Sequence, residues 1–194
     1  MLLLASQSPR RKALLSQLGV KFTTLNVDIN ETQLANEDSN SYVVRLAIEK
    51  AQQGWLQYGQ IDAVLGADTI VVVGSGSEEQ VLGKPESFEH ARQMWLQLSN
   101  TQHRVMTAVA LKTADGTDHL VVKTEVRFKL LTEAEMQWYW QTGEPQDKAG
   151  AYGIQGFAGN FVKHINGSYS AVVGLPLYET SELIKQVGIK LYEC

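Results

Sequence analysis

The sequence predicts an α/β fold built on a mixed central sheet, and three observations carry that reading. Two nearly continuous apolar runs, Leu2-Leu3-Leu4-Ala5 and residues 63–73, have the character of strands buried on both faces. Segments with helical spacing separate such strands in the first half, as parallel crossovers require. By contrast Leu120, Val122, Thr124, Val126 and Phe128 alternate with polar residues, the pattern of an antiparallel strand with one wet face. Asn166-Gly167, flanked by two strand-like runs, is the sequence signal of a type I′ hairpin.

The elements follow in order. The first strand breaks into Ser6-Gln7-Ser8-Pro9-Arg10-Arg11, where Ser8 suits an N-cap and Pro9 the first helical position. Ala13, Leu14, Leu15 and Leu18 form the apolar stripe of that helix and Gly19 ends it. Residues 21–27 read as a strand, and the polar, acidic residues 28–41, which include Glu31, as a loop leading into a helix. Over residues 42–58, Val43, Leu46, Ala47 and Ala51 recur at helical spacing, with Gly59 as the stop. The buried strand at 63–73 ends in the flexible turn Gly74-Ser75-Gly76-Ser77. Val81 and Leu82 return as a short strand, and Gly83-Lys84-Pro85 breaks the pattern before Ser87 caps another helix.

Strands follow at 105–112 and 120–130. Thr132 and Glu135 match a capping box for the helix bearing Met136, Trp138, Tyr139 and Trp140, which ends near Gly143. The glycine-rich segment 147–156 is a loop, and Pro176 opens a last helix that stops near Gly188.

Bulk properties narrow the function. With 194 residues the chain has room for one domain of two lobes, and 17 basic against 21 acidic residues, a net charge of −4, argue against a broad nucleic-acid surface. Cys194 is the single cysteine, so an intrachain disulfide has no partner and a reducing compartment fits. The opening apolar run is too short for a membrane span and has no basic stretch before it, so a cytoplasmic protein is expected.

Several residues could carry chemistry. A helix N-terminus offers unpaired N–H groups, and Ser8, Arg10 and Arg11 there would draw phosphate oxygens; the alternative is a capped surface helix with two solvated arginines. Asp68, a carboxylate inside an apolar strand, is costly unless compensated. A divalent metal shared with Glu31 or Glu49 would compensate it, as would a wet strand end or a lysine partner. Lys50 and Lys84 could neutralise a polyphosphate or simply be solvated. Gly150-x-x-Gly153-x-x-Gly156 is neither a P-loop nor a dinucleotide fingerprint. His90, His103, His119 and His164 lack zinc-ligand spacing, and neither a Gly-x-Ser-x-Gly elbow nor a cysteine nucleophile is present, which disfavours covalent catalysis.

Together, Ser6-x-Ser8-Pro9-Arg10-Arg11, Arg45-Leu46-Ala47-x-Glu49-Lys50-Ala51, Gly66-Ala67-Asp68-Thr69, Gly83-Lys84-Pro85, the segment 147–156 and Gly174-Leu175-Pro176 resemble the Maf family of nucleoside triphosphate pyrophosphatases over nearly the whole chain. Arg10, Thr69 and Gln155 resemble the pattern of its dTTP/UTP subgroup. The resemblance implies an elongated two-lobed fold similar to inosine triphosphate pyrophosphatase, an interlobe active-site cleft, a divalent cation (Mg²⁺ or Mn²⁺) and commonly a homodimer. It implies that Ser8, Arg10, Arg11, Lys50 and Lys84 hold phosphates, that Glu31 and Asp68 serve the metal, and that Asp68 accepts the proton of a water attacking the α-phosphorus. Thr69 and Gln155 would select the base; a glutamine amide matches the O4 acceptor and N3–H donor of uracil or thymine. A 7-methyl-GTP pyrophosphatase of the same family, or a non-catalytic nucleotide-binding regulator of cell division, are the rival expectations.

Overall fold

A computed structural model describes residues 1–59 and 61–192; Cys194, read above as unpaired, lies outside the described residues. The chain forms two compact units. One comprises Met1–Asp68, Thr107–Val122 and Gly174–Cys194, and the other Thr69–Met106 and Lys123–Val173.

In the first unit, strand β1 (Leu2–Ala5) is wholly buried, which is why its sequence is apolar at every position rather than alternating. Helix α1 (Pro9–Ser16) returns the chain to β2 (Phe22–Leu25), which pairs parallel to β1 with Leu2 opposite Phe22. Helix α2 (Ser39–Tyr58) then leads to β3 (Ala63–Val73), parallel to β1 on its other side with Leu2 opposite Ala63. The α2 helix starts three residues before the apolar periodicity does. Asp38 caps it, its Oδ1 accepting from the N–H groups of Asn40 at 2.9 Å and Ser41 at 3.0 Å, and so extends the helix into a polar segment without an apolar stripe.

The boundary between the units falls within β3. In the second unit β3 pairs antiparallel with β4 (Gln80–Leu82), Val71 opposite Leu82. Helix α3 (Phe88–Leu98) is capped by Ser87 as expected. Strands β5 (Gln102–Lys112) and β6 (Thr117–Phe128) each begin three residues earlier than the sequence pattern indicates, and each supplies residues to both units. Helix α4 (Glu133–Gln141) carries the full capping box of Thr132 and Glu135. Strand β7 (Val162–Asn166) pairs antiparallel with β6, and the described sheet has the order β2-β1-β3-β5-β6-β7, with β4 paired to β3. The predicted mixed α/β sheet is therefore observed.

The hairpin expected at Asn166-Gly167 does not form. Gly167 takes φ +131°, but residue 166 stays out of the positive-φ region that a type I′ turn needs, and the chain enters helix α5 (Tyr169–Val173) instead of a strand. Ser168 explains the change: its N–H donates to Thr124 Oγ1 at 3.0 Å, and its Oγ accepts from the Ala171 N–H at 3.2 Å as a helix cap. The apolar run Ala171-Val172-Val173 is a short buried helix, which periodicity cannot separate from a strand. Helix α6 (Leu177–Gln186) follows Pro176 and belongs to the first unit. Among the described residues no helix is long and apolar enough to cross a membrane.

The core of the second unit gathers Trp95, Phe128, Tyr139 and Phe161, all fully buried. His103 is buried among them, edge-on to Phe128 at 5.0 Å, with its Nε2 2.8 Å from the hydroxyl of Tyr152 and its Nδ1 without a partner. Burial pushes its pKa down to about 4 from an ordinary value of 6.5. The unfolded chain takes up a proton at His103 near pH 6.5 that the folded chain refuses until about pH 4, so stability falls as pH drops through that window. The expected loss attributable to His103 is about 3 kcal/mol. Urea unfolding of the natural protein and of a His103→Gln variant, at about pH 7 and about pH 4, reads this as a shallower pH dependence in the variant. Equal dependence in the two would remove His103 from the account.

Candidate active site

Three candidate residues of the first unit meet in one cluster. Lys50, on the inner face of α2, places its Nζ 2.6 Å from Asp68 Oδ1 and 2.6 Å from Glu31 Oε1. Lys50 and Asp68 are each only 8% exposed. Of the compensations open to Asp68 on sequence grounds, a lysine partner is present. Two carboxylates thus converge on one buried ammonium, which offsets their mutual repulsion and the cost of burying charge.

The backbone dictates this meeting. A Cβ built on Gly66 would lie 2.3 Å from the Ala47 carbonyl oxygen and 2.5 Å from the Ala51 nitrogen. With no side chain on Gly66, α2 lies directly against β3, and the small Ala47 and Ala51 line that contact. Lys50 and Asp68 sit one and two residues from these contact points, so the helix–strand packing sets their register.

Glu31 comes from the polar loop, and Arg45 holds that loop down. Its guanidinium donates to Glu37 Oε1 at 2.7 Å and Oε2 at 2.9 Å, to the Thr32 carbonyl at 3.0 Å, and to Glu49 Oε1 at 3.3 Å. The hydrogen bonds to Glu37 raise the Arg45 pKa and lower that of Glu37, so the pair stays ionised. Tyr42 adds a second tether, its hydroxyl donating to the Glu31 carbonyl at 2.7 Å. The Tyr42 phenol pKa is raised, first by burial and then by the negative charges of Asp68 and Glu31. Glu49, the alternative metal candidate, is turned to Arg45, whose Nη1 lies 3.3 Å from Glu49 Oε1.

At the start of α1, Ser8 caps the helix through its Oγ, 3.4 Å from the Arg11 N–H, and its own N–H donates to Ser6 Oγ at 3.2 Å. Arg11 does not spread into solvent. Its Nε donates to the Gly174 carbonyl at 2.9 Å, which brings the Gly174-Leu175-Pro176 motif to the start of α1. Burial lowers the Arg11 pKa; the charges of Asp68 and Glu31 act against that, and Arg10 acts with it. All four charged groups therefore share one electrostatic environment.

The other three candidates belong to the second unit. Thr69 follows Asp68 on β3 and is partly buried. Lys84 is exposed on the loop after β4, where the Gly83 carbonyl accepts from the Gly150 N–H at 3.0 Å and ties that loop to the glycine-rich segment. Gly150 takes φ +66°, with Val71 only 2.9 Å from where its Cβ would be. Gln155 is exposed on a turn closed by the Gly156 N–H donating to the Gly153 carbonyl at 3.1 Å.

Among the described residues no group of three or more His, Cys, Asp and Glu side chains is arranged to hold a metal. Glu31 and Asp68 do fit a magnesium-type site, which takes one or two carboxylates and completes its shell with water and phosphate oxygens. Sequence reasoning passed over Tyr42, Glu37 and the role of Arg45. Arg45 stood in a recognised motif, but two of its partners, Glu37 and Thr32, lie eight and thirteen residues upstream in a segment without periodicity.

Comparison with known proteins agrees with these motifs. The family described as Maf-like protein matches residues 1–187. A "dTTP/UTP pyrophosphatase" of Pseudoalteromonas atlantica is 54% identical over 197 residues, covering 100% of both chains. One of Vibrio parahaemolyticus is 51% identical over 185 residues, covering 95% of this chain and 96% of its own. Among solved structures, a nucleoside-triphosphatase / dITP/XTP pyrophosphatase of Mycobacterium abscessus is similar over 66% of this chain and 72% of its own, with a TM-score of 0.42 at 18% identity. On a family match over residues 1–187 and full-length identity above 50%, the chain belongs to the Maf family.

Proposed function

We propose that this protein is a nucleoside triphosphate pyrophosphatase that hydrolyses dTTP and UTP to the nucleoside monophosphate and pyrophosphate. The observation that carries the reading is the 54% identity, end to end, with a protein of that name. The cluster of Glu31, Lys50 and Asp68 beside Arg11 supports it, because phosphoanhydride cleavage is achieved largely by positioning and charge stabilisation.

In this reading Ser8 and the first N–H groups of α1, with Arg10 and Arg11, receive the phosphate oxygens. Lys50 and Lys84 add positive charge against the charge that develops as the bond to pyrophosphate breaks. Asp68 takes the proton of the water that attacks the α-phosphorus. Glu31 and Asp68 are the residues that would hold a divalent cation, Mg²⁺ or Mn²⁺. When bound, such an ion neutralises phosphate charge and polarises the phosphoryl group. Thr69 and the Gln155 amide select the base, the amide offering a donor to O4 and an acceptor to N3–H of thymine or uracil. The family resemblance adds a homodimer, and a cytoplasmic setting is the expectation from the sequence.

Pyrophosphate release from dTTP, UTP, dCTP, GTP and 7-methyl-GTP in the presence of Mg²⁺ tests the reading. The expected result is a kcat/KM for dTTP and UTP at least about tenfold above the others. Preference for 7-methyl-GTP would assign the chain to the other substrate class. Binding of dTTP without turnover would make it a nucleotide-responsive regulator.

A further inference from the structure

Gln155 reads the base in the function proposed above, yet it stands on an exposed turn, where an amide free to wander could pair with cytosine as well as with thymine. Two side chains hold the ends of the turn that carries it. At one end of the turn the Gly153 N–H donates to the Tyr139 hydroxyl oxygen at 3.1 Å. At the other end the Phe157 N–H donates to Glu144 Oε2 at 2.9 Å. The Tyr139 hydroxyl in turn donates to Glu144 Oε1 at 2.7 Å, so one phenol and one carboxylate join the two ends of the segment that carries Gln155.

The clamp is anchored in the core. Tyr139 is fully buried, edge-on to Phe161 at 5.2 Å and tilted against Trp95 at 5.5 Å, and cannot shift unless they do. Burial, and then the hydrogen bond to Glu144, push its phenol pKa up, so the proton it donates stays in place. Glu144 is held from behind, its carbonyl accepting from Lys148 Nζ at 2.6 Å. The glycines of the turn fit the clamp: a Cβ on Gly156 would lie 2.1 Å from Glu144 Oε2, and one on Gly153 would lie 2.7 Å from Lys148 Cε.

We infer that Glu144 and Tyr139 are positioning residues for base selection, holding the 153–157 turn so that the Gln155 amide meets the nucleobase in one orientation. The inference rests on the proposed function. It goes beyond it by placing the origin of selectivity in a buried tyrosine and a partly buried glutamate that act through the turn rather than on the nucleotide. Discrimination by a polar group depends on where that group is held, and two fixed ends limit the positions from which the Gln155 amide can reach a base.

The test uses Tyr139→Phe, which keeps the buried ring and removes only the hydroxyl, and Glu144→Gln, which keeps the shape of the clamp. For each, kcat/KM is measured with dTTP and with dCTP, alongside inhibition by inorganic tripolyphosphate, which has no base. The ratio of dTTP to dCTP is expected to fall about tenfold, with tripolyphosphate inhibition unchanged within about twofold. Adding Gln155→Ala to Tyr139→Phe should cost no more discrimination than Gln155→Ala alone, because both act through one contact. Hydrogen exchange at the Gly153 and Phe157 amides should quicken. A folded variant of either kind with the natural ratio overturns the inference, as does an equal loss of tripolyphosphate inhibition, which would mark general damage to the site. A natural protein that releases no pyrophosphate from either nucleotide overturns the function and the inference together; natural activity with an unmoved ratio overturns the inference alone.

Discussion

Asp68→Asn should lower kcat for pyrophosphate release from dTTP by about 10³-fold and leave the protein folded. The substitution is isosteric, so the close packing of β3 against α2 is undisturbed. It also removes one of two like charges from the cluster, and Lys50 keeps Glu31 at 2.6 Å, so the buried ammonium is not left without a counterion. An amide, however, cannot take a proton from water at neutral pH and is a poor ligand for a hard divalent cation. The triphosphate contacts proposed for the α1 N-terminus would remain, so the KM for dTTP should change far less than kcat. Steady-state kinetics with Mg²⁺, beside a thermal unfolding curve, checks both halves. A folded Asp68→Asn protein with near-natural kcat would take Asp68 out of the chemistry.

Gly66→Ala should be the most damaging single-methyl change in the first unit. A Cβ there would approach backbone atoms of α2 at 2.3 Å and 2.5 Å, and backbone cannot rotate away as a side chain can. Relief requires moving α2 away from β3. That opens the contact at Ala47 and Ala51 and carries Lys50 off Asp68. About 3 kcal/mol of stability should be lost, the upper part of the range for overpacking a tight contact. Activity should fall about 100-fold as well, the effect of displacing a reacting group by about 1 Å, if Lys50 and Asp68 act as proposed. Gly116→Ala is the control: nothing lies within 4 Å of the added carbon, and stability should stay within about 0.5 kcal/mol. Urea unfolding of both variants measures the contrast. A Gly66→Ala protein as stable and active as the control would show that the helix–strand contact is not what aligns the pair.

Legibility in the sequence followed the range of the forces involved. The β3 strand agrees residue for residue with its apolar run, and the capping box of α4 and the Ser87 and Ser8 caps were visible because each depends on neighbours within a few positions. The start of α2 was missed by three residues because its Asp38 cap lies ahead of any apolar repeat. The segment after Gly167 was misread because the apolar triplet Ala171-Val172-Val173 is equally at home in a strand and in a buried helix. The choice fell to Ser168, whose partner Thr124 is 44 residues away. In the candidate site, Asp68 stood out as a carboxylate that needed compensation. Which cation met it did not, because Lys50 looks in the sequence like any helix lysine.

The residues themselves settled the family motifs, the local elements and the chemical types available: carboxylates, forked cations, a helix N-terminus, an amide. Those properties belong to single side chains and short windows, and they survive without knowledge of where the chain goes next. Tertiary structure alone decided that Glu31, Lys50 and Asp68 touch, that Arg45 draws a polar loop onto α2, and that Tyr139 and Glu144 close the turn beneath Gln155. Each of these depends on a distance across the fold. The first is fixed by how closely α2 lies on β3 at Gly66, a contact that exists only once helix and strand have packed.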